Sequence, residues 1–426
     1  MAATRLSRRG FLATAASVAV VPRYVLGGPL HTPPSEVLTR ATIGTGAMGL
    51  AHVVANPADG STVQVAVCDV NARRLARATQ KAGVGCQAFS DFRILLDETR
   101  PDVLHVATPP HWHALVTLAA IRAGCDVLCE KPMTRFIAEG RAVADAARRY
   151  GRIVCVHTMG RQGVWQTLRK AVACGVLGRP LAVRLGPATG FGFKARTWMG
   201  RANLEPEPVA DGLDYDFWLG PAPKKPYHPH RVHRTFRGYW DYDGGGLTDM
   251  GQHWLDGVQY ALGHDATGPA GVTADVPRPA HADAVGPWTR GVITYADGTT
   301  VTLESGFGGV LRGPLPFVEG PSGRVFHHPQ RRRLTFDPPH LADVVEAYRD
   351  PPAMTAFADA VRSRSASPTV LPNAEAAHRS ITVAHLVNIA IRVGRPIQWD
   401  PASEHVVGND AAARLVDVPM RPPWHL

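Results

Sequence analysis

Short apolar runs alternate with amphipathic stretches through the first third of the chain. "VLTRATIG" (37–44), "VQVAVCDV" (63–70), "VLHVATPP" (103–110), "DVLCEKP" (126–132) and "RIVCVHT" (152–158) read as five strands. A helix follows the first strand to about Asn56. "ARRLARATQKAG" (72–83), "HALVTLAAIRAG" (113–124) and "AEGRAVADAARRYG" (138–151) carry helical periodicity, the last two closed by Gly124 and Gly151. Strands alternating with helices of this length predict βαβ units and a parallel sheet. Such a sheet binds ligands beyond the carboxyl ends of its strands.

The rhythm changes beyond residue 158. Turn-rich, aromatic-rich sequence fills 186–245, and "RGVITYADGTTVTLES" (290–305) predicts a hairpin turning at Asp297–Gly298. These features predict a second domain on a large, mainly antiparallel sheet. "NAEAAHRSITVAHLVNIAIRVG" (373–394) reads as a helix stopped by Gly394, with a tail expected to wrap the surface. The fold class is therefore α/β.

Composition narrows the function classes. A chain of 426 residues exceeds one ordinary core. Its net charge of +10 invites a nucleic-acid reading, but apart from Arg331–Arg333 and the N-terminal arginines the basic residues are dispersed. No aromatic residues interleave with a basic run, so nucleic-acid binding is not expected. All six cysteines precede residue 175 without a CxxC pair, and read as free and structural. No metal site is expected. His228, His230 and His233 lie in irregular loop spacing that suits hydrogen bonding or exposure.

"TRLSRRGFLATAASVAVV" joins Arg8–Arg9 to Phe11 and Leu12, the twin-arginine export pattern. The apolar run Phe11–Val21 is shorter than the roughly 20 residues that span a bilayer, so no stable membrane span is expected. Export by the twin-arginine translocase to the bacterial periplasm is the expectation.

"GTGAMG" sets Gly44, Thr45, Gly46, Ala47, Met48 and Gly49 between a strand and a helix. Glycines there let the backbone turn tightly and approach a pyrophosphate on the helix N-terminus. Asp69 ends the next strand, placed to accept bonds from a ribose diol. Its carboxylate favours NAD over NADP, while Arg73 and Arg74 leave NADP open. Thr108, Pro109, His113, Glu130 and Lys131 lie at or just beyond later strand ends and are assigned to the same site. In "GGGLTDMGQHWLDGVQYAL" (244–262) glycines open a helix with Asp249 and His253 four apart, hence on one face. A histidine can take a hydroxyl proton near neutral pH, and a carboxylate can orient it.

The glycine fingerprint, "CEKP" and "DMGQH" together resemble the Gfo/Idh/MocA oxidoreductases. The likeness extends to "LDYDFWLGPAP" (213–223), "FRGYWDYDGG" (236–245) and "GRPIQWDP" (394–401), which are similar to an exported branch. The export pattern and a Pro-rich stretch make 1–35 a signal and linker, and the resemblance, which runs from about residue 36, implies a Rossmann dinucleotide-binding domain at 36–157. It also implies a substrate and oligomerisation domain at 158–370, with a C-terminal helix and tail at 371–426. It assigns catalysis to Lys131, Asp249 and His253. These three, with Arg161, Arg231, Arg237, Tyr239 and Trp240, form the expected substrate site. The chain departs from many relatives at "VHTMGRQ", where His157 and Met159 replace small and amide residues.

The implied function is NAD(P)-dependent hydride transfer at a secondary hydroxyl of a sugar or polyol. The cofactor is expected to stay bound, and the protein to form a dimer or tetramer. A redox-neutral glycoside hydrolase or lyase working through a transient keto-sugar remains open, as does a binding protein without catalysis.

Overall fold

The computed structural model describes residues 36–55, 61–275, 282–307, 309, 315–365 and 369–426. Arg8–Arg9 and the apolar run after them lie outside the described residues.

Six parallel strands form the first sheet: β1 (Leu38–Ile43), β2 (Thr62–Cys68), β3 (Gln87–Phe89), β4 (Val103–Val106), β5 (Asp126–Glu130) and β6 (Val154–His157). Their order is β3-β2-β1-β4-β5-β6. Strand order reverses between β1 and β4, and such a reversal opens a crevice at the carboxyl ends. The strands are apolar nearly throughout because helices cover both faces of the sheet. Ala41, Ala66, Val67, Leu104, Val106 and Val127 are fully buried.

β3 and the helix Phe92–Thr99 have no counterpart in the pattern reading. Three half-exposed residues give no apolar alternation. The helix is short, though Phe92, Leu95 and Leu96 bury one face and Asp91 caps it by accepting from Arg93 N–H.

Among the described residues the second sheet has nine strands. They are β7 (Ala182–Leu185), β8 (Gly271–Asp275), β9 (Arg290–Thr294), β10 (Thr300–Glu304), β11 (Val318–Gly320), β12 (Gly323–His328), β13 (Arg333–Asp337), β14 (Ile397–Asp400) and β15 (His405–Val407). Their order is β13-β12-β11-β7-β10-β9-β8-β14-β15. Among the described residues only the β7–β10 pair of this sheet is parallel. β9 and β10 form the expected hairpin, with Gly298 at φ +80° in its turn.

The helix Ala374–Val393 packs against the helices Ile137–Tyr150 and Gly251–Leu262 and against β6, β8 and β9, so it joins both sheets. It is buried on nearly every side, including His378, Ser380, Thr382, His385 and Asn388. The tail does more than wrap the surface. β14 and β15 extend the second sheet, and Trp424 meets Trp112 edge-on at 4.7 Å. All six cysteines are free thiols. Among the described residues no helix is long and apolar enough to cross a membrane.

Candidate active site

A cleft of about 570 Å³ runs along the carboxyl ends of β1, β2, β4 and β5. Gly44, Thr45, Gly46, Ala47, Met48, Asp69, Arg74, Thr108, Pro109, Glu130 and Lys131 all line it. Each element delivers its residue for a local reason. β1 ends at Ile43, and Gly44 turns at φ +84° against β4, where an added Cβ would lie 2.6 Å from Thr108 N. Gly49 packs the helix Ala47–Val54 onto the loop, since its Cβ would sit 1.8 Å from Gly44 O. Gly46 caps that helix without a side-chain bond, leaving its first N–H groups for a ligand. A Cβ at Gly46 would meet only Arg74 Nη1 at 3.8 Å, so the space over the helix start is open.

Asp69 holds the loop: its Oδ2 accepts from Thr45 N at 2.7 Å and Thr45 Oγ1 at 2.9 Å, and its Oδ1 from Asn71 N at 2.8 Å. The volume, the uncapped helix start and the carboxylate beyond β2 fit a nicotinamide dinucleotide. His113 does not line the cleft. It is buried behind the wall, with ring nitrogens 2.8 Å from Pro132 O and 2.7 Å from Thr108 O. Burial holds its pKa below the ordinary value, so at neutral pH the ring has one N–H and donates it to one of these two carbonyls.

At the other end of the cleft Lys131 follows β5. Its ammonium donates to Asp249 Oδ1 and to the Asp249 carbonyl, both at 2.9 Å. Arg237 Nε donates to the same Oδ1 at 2.5 Å, and its guanidinium lies over the rings of Trp198 and Phe236. Burial alone would raise the Asp249 carboxyl; Lys131 and Arg237 outweigh it and hold it below the usual range. Asp249 is buried one layer behind Lys131 and Arg237. The helix carrying it breaks at Met250, and His253 N donates to Met250 O, three residues back. Burial and Lys131 push His253 down to about 3, so the ring is neutral at physiological pH.

Four expected substrate residues lie elsewhere. Arg161 is buried in ion pairs with Asp256 at 2.6 Å and Asp265 at 3.0 Å. Arg231 pairs with Asp283 at 2.7 Å and stacks on Tyr239. Tyr239 is fully buried with its hydroxyl 2.6 Å from His230 Nδ1, and Trp240 packs under Arg392. Of the loop histidines only His233 reaches the cleft wall.

Other residues complete the cleft and support it. Trp198, Phe217, Trp218 and Phe236 line the cleft with aromatic rings. Gln252 accepts from Met133 N at 2.7 Å and donates to Ala377 O at 3.0 Å, fixing the Lys131 loop to two helices. Glu130 Oε1 faces His52 Nε2 at 2.7 Å and His157 Nδ1 at 2.9 Å. The signal for that last group was the unusual His157.

The profile of the oxidoreductase family's NAD-binding Rossmann fold matches residues 38–158, and that of its C-terminal alpha/beta domain matches residues 162–426. The chain belongs to the Gfo/Idh/MocA oxidoreductase family. Among curated proteins it is similar to D-glucoside 3-dehydrogenase of Escherichia coli, at 35% identity over 27% of this chain and 32% of that protein. Levoglucosan dehydrogenase of Pseudarthrobacter phenanthrenivorans is 32% identical over 33% of this chain and 38% of that protein. Inositol 2-dehydrogenase of Klebsiella pneumoniae is 35% identical over 34% and 44%. The matched stretch thus spans less than half the length of these relatives.

Solved structures share the fold. The aldose-aldose oxidoreductase of Caulobacter crescentus superposes with TM-score 0.56 at 20% identity, covering 85% of this chain and 99% of that one. The WlbA dehydrogenase of Chromobacterium violaceum, in complex with NADH and a UDP-sugar acid, gives TM-score 0.59 at 17% identity, covering 86% and 96%.

Proposed function

We propose that this family member is an NAD-dependent dehydrogenase acting on a secondary hydroxyl of a sugar, glycoside or polyol. The observation that carries the reading is one continuous cleft, with the glycine cradle at one end and Lys131 at the other. The curated relatives are named as dehydrogenases of a glucoside, levoglucosan and inositol, which supports the substrate class.

Bound NAD supplies the hydride acceptor. Lys131 donates a hydrogen bond to the reacting hydroxyl and stabilises negative charge as it grows on that oxygen. Asp249 and Arg237 aim the ammonium, so little reorganisation is needed during reaction. Neutral His253 accepts the hydroxyl proton. Arg237 and the aromatic rings of Trp198 and Phe236 supply a polar edge and a flat apolar surface for a sugar ring.

Asp69 supports NAD, since its carboxylate would repel a 2′-phosphate; Arg74 at the same end leaves NADP use to be measured. The Arg8–Arg9 pattern supports export to the periplasm by the twin-arginine translocase, with the dinucleotide carried inside the folded protein. Self-association through the outer face of the nine-stranded sheet is part of the reading, tested by light scattering in solution.

The deciding experiment denatures purified protein to identify any retained dinucleotide, then follows deuterium transfer from C-deuterated glycosides and inositols to NAD. Label in the reduced dinucleotide is the expected result. Release of free sugar without net cofactor change would replace it with the redox-neutral glycosidase reading. Absence of both would overturn it.

A further inference from the structure

We propose that His52, Glu130 and His157 form a site for one divalent transition-metal ion of the zinc type. The three ligand atoms, His52 Nε2, Glu130 Oε1 and His157 Nδ1, all lie within 4.8 Å of one another. Both imidazole nitrogens point at the same carboxylate oxygen, at 2.7 and 2.9 Å. Two imidazoles and one carboxylate are the donor set of open zinc sites. Metal–ligand bonds of about 2.0–2.1 Å place tetrahedral ligands roughly 3.3 Å apart. An opening of about half an ångström around Glu130 Oε1 therefore admits the ion, its charge replacing the two N–H protons that bridge the gap.

The surroundings fit. Glu130 and His52 are largely buried, whereas the His157 side chain is 39% exposed, which provides an entry path and an open coordination position. A further imidazole, His105, lies edge-on to His52 with centroids 4.9 Å apart, and its buried Nδ1 has no hydrogen-bond partner. The spacing of these residues in sequence gives no metal signature, because three different elements bring them together: the helix Ala47–Val54, the end of β5 and the end of β6.

The ion would clamp the helix of the glycine cradle to the strand end that presents Lys131. Its presence does not depend on the proposed dehydrogenase reaction.

Tag-free protein stripped with chelator and titrated with zinc chloride by calorimetry should bind one ion per chain. Cobalt(II) should give a visible d–d absorption band at the same stoichiometry. His157→Gln, at a half-exposed position that leaves the fold intact, should weaken zinc binding at least tenfold and abolish the band, and His52→Ala should do the same. His230→Ala should leave both unchanged. Absence of zinc binding at submillimolar concentration, or unchanged binding in His157→Gln, would overturn the proposal.

Discussion

Lys131 touches Asp249 twice, its ammonium lying 2.9 Å from both a carboxylate oxygen and the backbone carbonyl of the same residue. One contact is electrostatic and the other fixes direction, so the side chain cannot swing out of the cleft without losing both. The ammonium is therefore preorganised for a developing alkoxide. Lys131→Ala should lower kcat by about 10²–10⁴-fold, while calorimetric NAD affinity changes little. Steady-state assays on the best glycoside or polyol provide the check. Activity within a few-fold of the parent would remove Lys131 from the chemistry.

Gly46 and Gly49 separate ligand binding from folding. A methyl at Gly49 collides with Gly44 O at 1.8 Å, and both atoms belong to packed backbone that cannot yield. Gly49→Ala should destabilise the protein by about 1–3 kcal/mol, seen as a lower melting temperature. A methyl at Gly46 meets only the far end of Arg74. Gly46→Ala should leave the melting temperature of the ligand-free protein unchanged yet weaken NAD binding tenfold or more. The opposite ranking would mean that the cradle does not hold the pyrophosphate.

The cradle was legible because its residues are contiguous and each glycine has a local reason. Lys131 was legible through its place after an apolar strand and through the family motif. The substrate wall was not. Arg161, Arg231, Tyr239 and Trp240 are polar or aromatic residues of the kind that suit a sugar, but their destinations depend on partners far along the chain. Arg161 finds Asp256, 95 residues away. β14 and β15 were hidden because runs of four and three residues carry little pattern of their own.

Arg161 gives that correction a measurable form. Its guanidinium is almost fully buried against Asp256, whose side chain is wholly inaccessible. Removing one partner of a buried pair leaves a stranded charge, which typically costs about 3–5 kcal/mol. Arg161→Ala should depress the melting temperature strongly and leave KM for sugar unchanged in the protein that remains folded. A raised KM at unchanged stability would return Arg161 to the substrate site.

Acid should unfold this protein through its buried imidazoles. His111 and His385 are buried, and burial pushes both pKa values down to about 3, from 6.5 in an exposed chain. The unfolded state therefore binds more protons than the folded state between these limits, so stability is full above pH 6.5 and falls as pH drops toward 3. Each such histidine contributes a slope of up to about 1.4 kcal/mol per pH unit. Asp243 opposes this, because burial and Asp249 raise its carboxyl pKa in the folded state. His105 and His253, also pushed down to about 3, reinforce the majority. Between pH 6.5 and 5 these imidazoles outweigh the opposing Asp243, and Glu130 and Glu404 add their share only as unfolded glutamates protonate near 4.5. Calorimetry across that interval should show a falling melting temperature, with a shallower fall in His385→Gln, which removes one titrating group. A melting temperature flat from pH 6.5 to 5 would show that these rings are hydrated or charged in the folded protein.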